Sequence, residues 1–314
     1  MTTALITHPE GLLHQTPAKV HEQVGRLDFV LRAIEDLPLD RHLAPLARRD
    51  QITTLHDPAY VDHVLTSVPE SGFAFLDSET DDETALSPTS LNAVLRAVGG
   101  AALAVDLVVT GKTKNAFVAM RPPGHHALRA AAMGFCFFGN VALAARHAMD
   151  VHGLSRVAIV DFDVHHGNGT QALLWDEPRA LVVTSQQMPL WPGTGAVEER
   201  GAHDNVLNLP LAPGTGGAEM REAYAETVFP RLRAFNPELI LISAGFDCHR
   251  DDPLAELNWR ESDYDWLTRN LCAIANSCCA GRVVSVLEGG YDLPALAASA
   301  RVHVQALLRA HADD

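Results

Sequence analysis

The chain of 314 residues is 47% hydrophobic and 20% charged, which excludes a disordered chain, a collagen-like repeat and a small disulfide-rich domain. Its 24 basic and 39 acidic residues give a formal charge of −15, so neither nucleic acid nor an anionic membrane is an expected partner. Five cysteines without a C-x-x-C pair, and no readable signal peptide, predict a cytoplasmic protein with reduced thiols.

Six short apolar segments have the length and composition of strands buried on both faces of a parallel sheet. They lie at 4–7, 116–120, 156–161, 180–185, 239–244 and 283–287. Longer segments predict helices at about 24–36, 87–109, 139–151, 217–234, 261–278 and 293–310. Strands alternate with helices and no linker divides the chain. We therefore expect residues 1–314 to form one domain, a three-layer α/β/α sandwich around a mainly parallel sheet.

Polar side chains follow four of the predicted strands at their carboxyl ends, where ligands bind in sheets of this type. The segments read RPPGHHA from residue 121, DFDVHHGNG from 161, GFDCHRDD from 245 and EGGYD from 288. Burying several carboxylates and imidazoles together is costly unless they pair or bind a cation. The sequence therefore predicts a metal site at this edge of the sheet.

The types of residue in these segments indicate a catalytic metal. Asp163 and His165 are one residue apart, so their side chains point the same way in an extended segment, and Asp247 adds a second carboxylate. Three such ligands with an open position are typical of catalytic zinc, and Fe(II) uses a related set. A nearby His to move protons and a Tyr on a Gly-Gly turn to stabilise an oxyanion then predict hydrolysis of an amide or ester.

Taken together, these motifs resemble the zinc-dependent histone deacetylase family, and in particular its class II-like bacterial amidohydrolases. The same superfamily contains acetoin-utilisation proteins and acetylpolyamine amidohydrolases. The carrying segments run from about 115 to 295 and also include GFCFFGN from residue 134 and PGTG from 192. The resemblance implies the arginase/deacetylase fold, and an enzyme that removes an acetyl or related acyl group from acetyl-lysine or a similar amine.

The resemblance also implies roles for particular residues. One zinc ion would be held by Asp163, His165 and Asp247. The catalytic residues would be His125, His126, Asp161, Asn168 and Tyr291. The substrate channel would be lined by Gly134, Phe135, Trp191, Leu254 and Gly289. A structural potassium ion would be held by Asp161, Asp163, His165, Thr184 and Ser185, although Gln186 stands where the family often has His.

Within the catalytic set, the resemblance makes His126 the general base and then the general acid. His125, held by Asp161, would be its electrostatic partner. Asn168 would orient His126, and Tyr291 would donate a hydrogen bond to the developing oxyanion.

Two segments bear on the substrate. In one subgroup of the family, an acidic residue at the position of Leu254 is associated with a preference for polyamines. Leu254 therefore gives no support for a polyamine substrate, but it does not exclude one. The acidic segment 77–83 is expected near the channel mouth, either as a solvated loop or with Asp81 or Asp82 anchoring a substrate amide or amine.

Most other histidines are expected on the surface or satisfied in the core. This expectation covers His56, His63, His147, His152 and His303, whereas His8, His14 and His21 are expected on the surface. His166 is expected to support the catalytic loop from below.

Three other functions compete with this interpretation. An acetylpolyamine or other small-molecule amidohydrolase would use the same site. A non-catalytic acyl-lysine-binding protein would be expected to have lost some of the catalytic positions. A dimanganese ureohydrolase of the arginase type would need further bridging Asp and His ligands, which the sequence does not show. The sequence does not indicate an oligomeric state.

Overall fold

The structure is a computed structural model that describes residues 2–76 and 83–310. The strands of its main sheet are β1 (Thr3–Thr7), β2 (Asp40–Leu43), β5 (Asn115–Val118), β6 (Val157–Asp161), β7 (Ala180–Gln187), β8 (Val206–Leu211), β9 (Leu239–Ala244) and β10 (Val283–Leu287). Their order across the sheet is β2-β1-β5-β10-β9-β6-β7-β8, with every neighbouring pair parallel. The short strands β3 (Ala74–Phe75) and β4 (Ala85–Leu86) form a separate antiparallel pair.

Helices cover both faces of this sheet. They are α1 (Val24–Ala33), α2 (Arg49–Ile52), α3 (Pro58–Thr66), α4 (Ser90–Val109), α5 (Asn140–Asp150), α6 (Asn168–Leu173), α7 (Gly217–Ala223), α8 (Phe229–Phe235), α9 (Glu261–Cys279) and α10 (Leu293–Arg309). Successive strand residues alternate between two apolar clusters, with Phe117 and Ile240 in one and Val118 and Leu241 in the other. The predicted three-layer α/β sandwich is confirmed.

All six predicted strands are present, and the two strands of the main sheet that were not predicted, β2 and β8, lie at its edges. β2 is mostly exposed and polar, and β8 contains Pro210, so neither has the continuous apolar composition of a central strand. The predicted helix at 217–234 is interrupted by a π-helical turn at Tyr224–Val228. Pro230 lies two residues after this turn and lacks the N–H that would bond the carbonyl oxygen four residues earlier.

Helix α4 is the most apolar long element of the chain. Among residues 2–76 and 83–310 it is the one helix whose length and composition would suit a membrane span, yet 67% of that window is buried inside the fold. It packs against α5, β1 and β5, and a Cβ at Gly99 would lie 2.1 Å from the carbonyl oxygen of Pro45. The apolar composition of α4 is accounted for by its place in the core.

Candidate active site

The four polar segments meet because the strands that precede them are neighbours. β5, β10, β9 and β6 are the four central strands, and parallel strands end on the same edge of a sheet. His126 follows β5, His165 follows β6, Asp247 follows β9 and Tyr291 follows β10. Each of these side chains is therefore delivered to one site by a different strand.

The three predicted metal ligands lie together at this edge. His165 Nδ1 is 3.2 Å from Asp163 Oδ1 and 3.3 Å from Asp247 Oδ2. Ligand atoms at about 2.0–2.1 Å from a tetrahedral metal are themselves roughly 3.3 Å apart, so these separations fit a shared cation. Asp247 Oδ2 is buried and receives no hydrogen bond from any described residue. An unpartnered buried carboxylate oxygen is costly, and a cation would satisfy it.

Backbone hydrogen bonds hold both ligand carboxylates in place. Asp247 Oδ1 accepts the N–H of Val164 at 2.8 Å, and Asp163 Oδ2 accepts the N–H of Gly289 at 2.8 Å. A Cβ at Gly289 would lie 2.2 Å from Asp247 Oδ2, so only glycine allows this approach. Gly289, expected in the channel, thus lies behind the metal ligands and does not line the cavity.

The charges of the ligand residues favour a cation between them. Burial and the neighbouring Asp163 carboxylate raise the pKa of Asp247 to about 7. Burial opposes a charge on His165, but the nearby carboxylates of Asp163 and Asp247 outweigh it and raise the pKa of His165 to about 9. A site that holds a proton this strongly has a negative potential, and the same potential attracts a metal ion.

The two predicted catalytic histidines have opposite electrostatic environments although their ring centroids are 3.9 Å apart. Burial opposes a charge on His125, but the carboxylates of Asp163 and Asp161 raise the pKa of His125 well above its usual value. Burial and repulsion from His125 and His165 lower the pKa of His126 well below its usual value. Environments that separate two pKa values in this way are typical of acid–base pairs in active sites.

Hydrogen bonds assign a tautomer to each ring. His125 Nδ1 is 3.0 Å from Asp161 Oδ2, and His126 Nδ1 is 2.7 Å from Asn168 Oδ1. Both oxygens accept, so both Nδ1 atoms carry hydrogen. For the neutral ring of His126 this leaves Nε2 as the basic nitrogen, and this ring lines the cavity.

A cavity of about 430 Å³ opens over the metal ligands. It is lined by Lys19, Glu83, His126, Gly134, Phe135, His165, Leu190, Trp191, Leu254 and Tyr291. The Trp191 ring lies 4.7 Å from that of His126, and the Phe135 ring lies 5.9 Å from that of Tyr291. Gly134 has φ +54°, and a Cβ there would lie 2.5 Å from the His126 ring. Four of the five residues predicted for the channel therefore line it.

Tyr291 is held in place by Arg26 and Asp252, two residues that were not predicted to belong to the site. The Arg26 guanidinium lies over the Tyr291 ring at 4.9 Å and donates to the carbonyl oxygens of Gly290 and Glu288. Asp252 Oδ2 accepts the N–H of Tyr291 at 2.8 Å. Burial raises the pKa of Tyr291 well above its usual value, so the hydroxyl stays protonated and able to donate.

Arg26 is part of a buried ionic network. Glu22 accepts from Arg26 Nη1 at 3.1 Å and from Arg121 Nη2 at 2.6 Å, and it lies 3.5 Å from His14 Nε2. Burial opposes the charge of Glu22, but Arg121 and His14 keep its pKa well below its usual value. The expectation that His14 lies on the surface is wrong, because its ring also bonds Ser90 Oγ at 2.7 Å. The four-residue spacing of Glu22 and Arg26 was the available sequence signal.

The residues predicted for potassium lie at the adjoining ends of β6 and β7. Asp161 pairs with Thr184 across the two strands, and Ser185 Oγ lies 3.4 Å from the Asp161 carbonyl oxygen. Thr184 donates its hydroxyl hydrogen to Gln186 Oε1 at 2.8 Å, and the Ser185 hydroxyl also bonds that of Tyr224 at 2.6 Å.

A second group of potential metal ligands joins α4 to the end of α5. His147 Nε2 and His152 Nε2 each lie 2.7 Å from Asp106 Oδ1. These separations are those of hydrogen bonds and are shorter than the 3.2 and 3.3 Å at Asp163, His165 and Asp247. Both histidines are half-buried and hydrogen-bonded, because helix packing brings a carboxylate from α4 between them.

Replacing Asp106 with Asn is expected to lower the Tm, most strongly near neutral pH. Burial raises the pKa of Asp106, but the hydrogen bonds from His147 and His152 outweigh it and lower this pKa. A carboxyl with a lowered folded-state pKa stabilises above its unfolded pKa of about 4, and this contribution disappears as pH falls through the folded value. Thermal melts at pH 7 and pH 3 test this. Asp176→Asn, in an exposed pair with His203, is the control, and equal Tm losses in both variants would contradict the expectation.

Two of the remaining predictions on histidines are confirmed. His56 is buried and bonds the Leu128 carbonyl and the Gly139 N–H, and His303 is buried between Thr268 and Ser285. His166, which follows the proposed ligand His165, forms hydrogen bonds with Thr194 and Gln171. Asp81, Asp82 and the rest of 77–82 lie outside the described residues, whereas Glu83 lines the cavity.

Comparisons with known proteins point to one family over most of the chain. Residues 20–307 match the family model described as Histone deacetylase domain. The chain is 40% identical to Uncharacterized protein slr0245 of Synechocystis sp., with 94% of this chain and 96% of that protein aligned. It is 36% identical to human Polyamine deacetylase HDAC10 over 98% of this chain and 48% of that protein. The crystal structure of the HDA15 HD domain superposes with a TM-score of 0.91 at 32% identity, covering 98% of this chain and 89% of that one.

Proposed function

The chain belongs to the histone deacetylase family, and we propose that it is a zinc-dependent deacylase that hydrolyses the amide of acetyl-lysine or a similar acylated amine. The observation that carries the proposal is the pairing of a neutral His126 with the Asp163, His165 and Asp247 cluster at the base of one cavity. The proposal takes residues 1–314 as one cytoplasmic deacetylase domain, with a structural potassium ion beside Asp161.

The residues suited to hold zinc are Asp163, His165 and Asp247, and the unpartnered Asp247 Oδ2 supports this assignment. Bound zinc would polarise the acyl carbonyl and lower the pKa of water. Iron(II) would suit the same ligands, so metal replacement is part of the test.

The proton transfers fall to the chain's own residues. His126 accepts a proton at Nε2 from the attacking water, because its environment keeps the ring neutral at rest. Asn168 keeps hydrogen on Nδ1 and so holds Nε2 in its basic form. The same nitrogen then protonates the departing amine. The Tyr291 hydroxyl donates to the oxyanion that forms at the acyl carbon.

The walls of the cavity favour an extended apolar chain next to the acyl group. Phe135 and Trp191 present aromatic rings, and Leu190 and Leu254 add aliphatic surface. The methylene chain of an acylated lysine or amine can pack between such walls with its acyl group towards His126 and Tyr291.

Purified protein loaded with zinc tests the proposal through acetate release. The substrates are an acetyl-lysine peptide, acetylspermidine and longer acyl amides. A hydroxamate should bind the zinc-loaded protein and not the metal-free protein. Absence of product from all of these substrates would overturn the proposal. Reloading the same preparation with Fe(II) compares the two metals.

An acetylpolyamine amidohydrolase is the second candidate, because the chain is 36% identical to a human protein named as a polyamine deacetylase. The apolar Leu254 offers no carboxylate to pair with a second amine, so among the described residues that line the cavity Glu83 is the carboxylate that could do so.

Replacing Leu254 with Glu is expected to raise kcat/KM for acetylspermidine relative to an acetyl-lysine peptide by about an order of magnitude. The new carboxylate attracts the second amine of the polyamine, and attraction of about 1.4 kcal/mol corresponds to a factor of ten. Leu254→Gln is the control, because it has nearly the same size without the charge. An equal change of the ratio in both variants would contradict the electrostatic explanation.

Replacing Asn168 with Asp is expected to move the acid limb of the pH profile of kcat/KM to higher pH. A carboxylate at this position favours the protonated ring and raises the pKa of His126. The general base must be neutral, so activity is then lost at a higher pH than in the unsubstituted enzyme. Asn168→Ala removes the hydrogen bond without adding charge and should not produce this upward shift. A limb unmoved by Asn168→Asp would refute the assignment of His126 as the base.

A further inference from the structure

The channel cavity is bordered by one lysine, although the chain has only three. Lys19 is exposed and lines the same cavity as Trp191, Leu254 and Tyr291. Within 2–76 and 83–310, it forms no ion pair with any carboxylate. Its ammonium group is therefore available to a molecule that enters the channel.

The loop that carries Lys19 is fixed against the site on both sides of this residue. The N–H of Val20 bonds the Pro17 carbonyl oxygen at 2.9 Å, and Val20 is buried. Thr16 Oγ1 bonds the carbonyl oxygen of Glu22 at 2.6 Å. The ring of His21 lies 6.4 Å from that of Tyr291, so this loop borders the proposed oxyanion donor directly.

We propose that Lys19 shifts the selectivity of the enzyme towards acylated amines that carry a carboxylate outside the channel and away from acylated polyamines. This inference rests on the proposed function and adds a substrate class to it. A lysine ammonium attracts a carboxylate and repels a second amine across the same distance. Leu254 and Trp191 bring no charge, and Glu83 brings the one carboxylate among the described residues that line the cavity, so Lys19 is the group that offsets its attraction for a second amine. The carboxylate can be that of free Nε-acetyl-lysine or of an acidic residue beside acetyl-lysine in a peptide.

The test measures kcat/KM at low ionic strength for capped acetyl-lysine peptides flanked by Asp, Ala or Lys, with Nε-acetyl-lysine and acetylspermidine as small substrates. The readout is the ratio of kcat/KM for the Asp-flanked peptide to kcat/KM for the Lys-flanked peptide. Lys19→Glu should lower that ratio by roughly three- to tenfold, which is the range for exposed charge pairs. Raising the salt to about 1 M should remove most of the difference, because screening is then strong.

Lys112→Glu is the matched control. It makes the same change of net charge at an exposed residue that precedes β5, on the edge of the sheet opposite the site. The ratio should stay at its original value in this variant. Comparison of Nε-acetyl-lysine with the Asp-flanked peptide then shows which source of carboxylate is preferred.

Three results separate the possible failures. Equal ratios in Lys19→Glu and Lys112→Glu would overturn the inference, and so would an unchanged preference between acetylspermidine and Nε-acetyl-lysine in Lys19→Glu. Absence of turnover for the Ala-flanked peptide and every other substrate would instead overturn the proposed deacylase function.

Discussion

Replacing Tyr291 with Phe is expected to lower kcat by roughly 10²- to 10³-fold while the metal stays bound, which is the usual cost of losing one oxyanion donor. Tyr291 lines the cavity, and no contact among the three proposed metal ligands depends on its hydroxyl. The aromatic ring, which Arg26 contacts, is retained in the variant.

The measurements are kcat, metal content and hydroxamate binding. Tyr264→Phe is the control, because it also removes one buried hydroxyl, and that hydroxyl has no hydrogen-bond partner among the described residues. We expect Tyr264→Phe to keep its activity. An unchanged kcat in Tyr291→Phe, or a loss of metal from it, would show that Tyr291 is not the oxyanion donor.

Replacing Asp247 with Asn is expected to weaken metal binding and to lower kcat/KM by roughly 10³-fold or more. A catalytic metal supplies several kcal/mol of transition-state stabilisation, and each 1.36 kcal/mol is a factor of ten. Asn keeps an oxygen that can accept the Val164 N–H, so the loop geometry is preserved while the negative charge is lost.

Metal content by elemental analysis, measured with the thermal stability of the metal-free protein, checks this second prediction. Asp251→Asn is the control, since Asp251 is exposed, lies four residues further along and is not among the ligands. Retention of one zinc per chain by Asp247→Asn would contradict the ligand assignment. A second zinc equivalent in the unsubstituted protein would instead point to the Asp106 cluster.

The central part of the fold follows from local sequence. Strands β5, β6, β9 and β10 are short continuous apolar runs, because they are buried on both faces and must bury every side chain. The edge strands β2 and β8 have no such requirement, so their sequences carry no comparable signal.

The residues of the site likewise fall into those that could be identified from the sequence and those that could not. Asp163, His165 and Asp247 could be identified because each directly follows an apolar strand, and the family resemblance added roles for His126 and Tyr291. The support of Tyr291 by Arg26 and Glu22 could not be identified, since these residues belong to a helix and loop more than 260 positions away from it. Only packing decides which charged residues of that segment become buried.

Local sequence thus determined the central strands and the chemistry at their carboxyl ends, because apolar runs and the residues after them are set by neighbours in the chain. Long-range packing decided the separations at the metal ligands, the opposite charge states of His125 and His126, and the position of Lys19 beside the channel. These properties depend on burial and on distances between segments remote in sequence, and electrostatic energies change steeply with both.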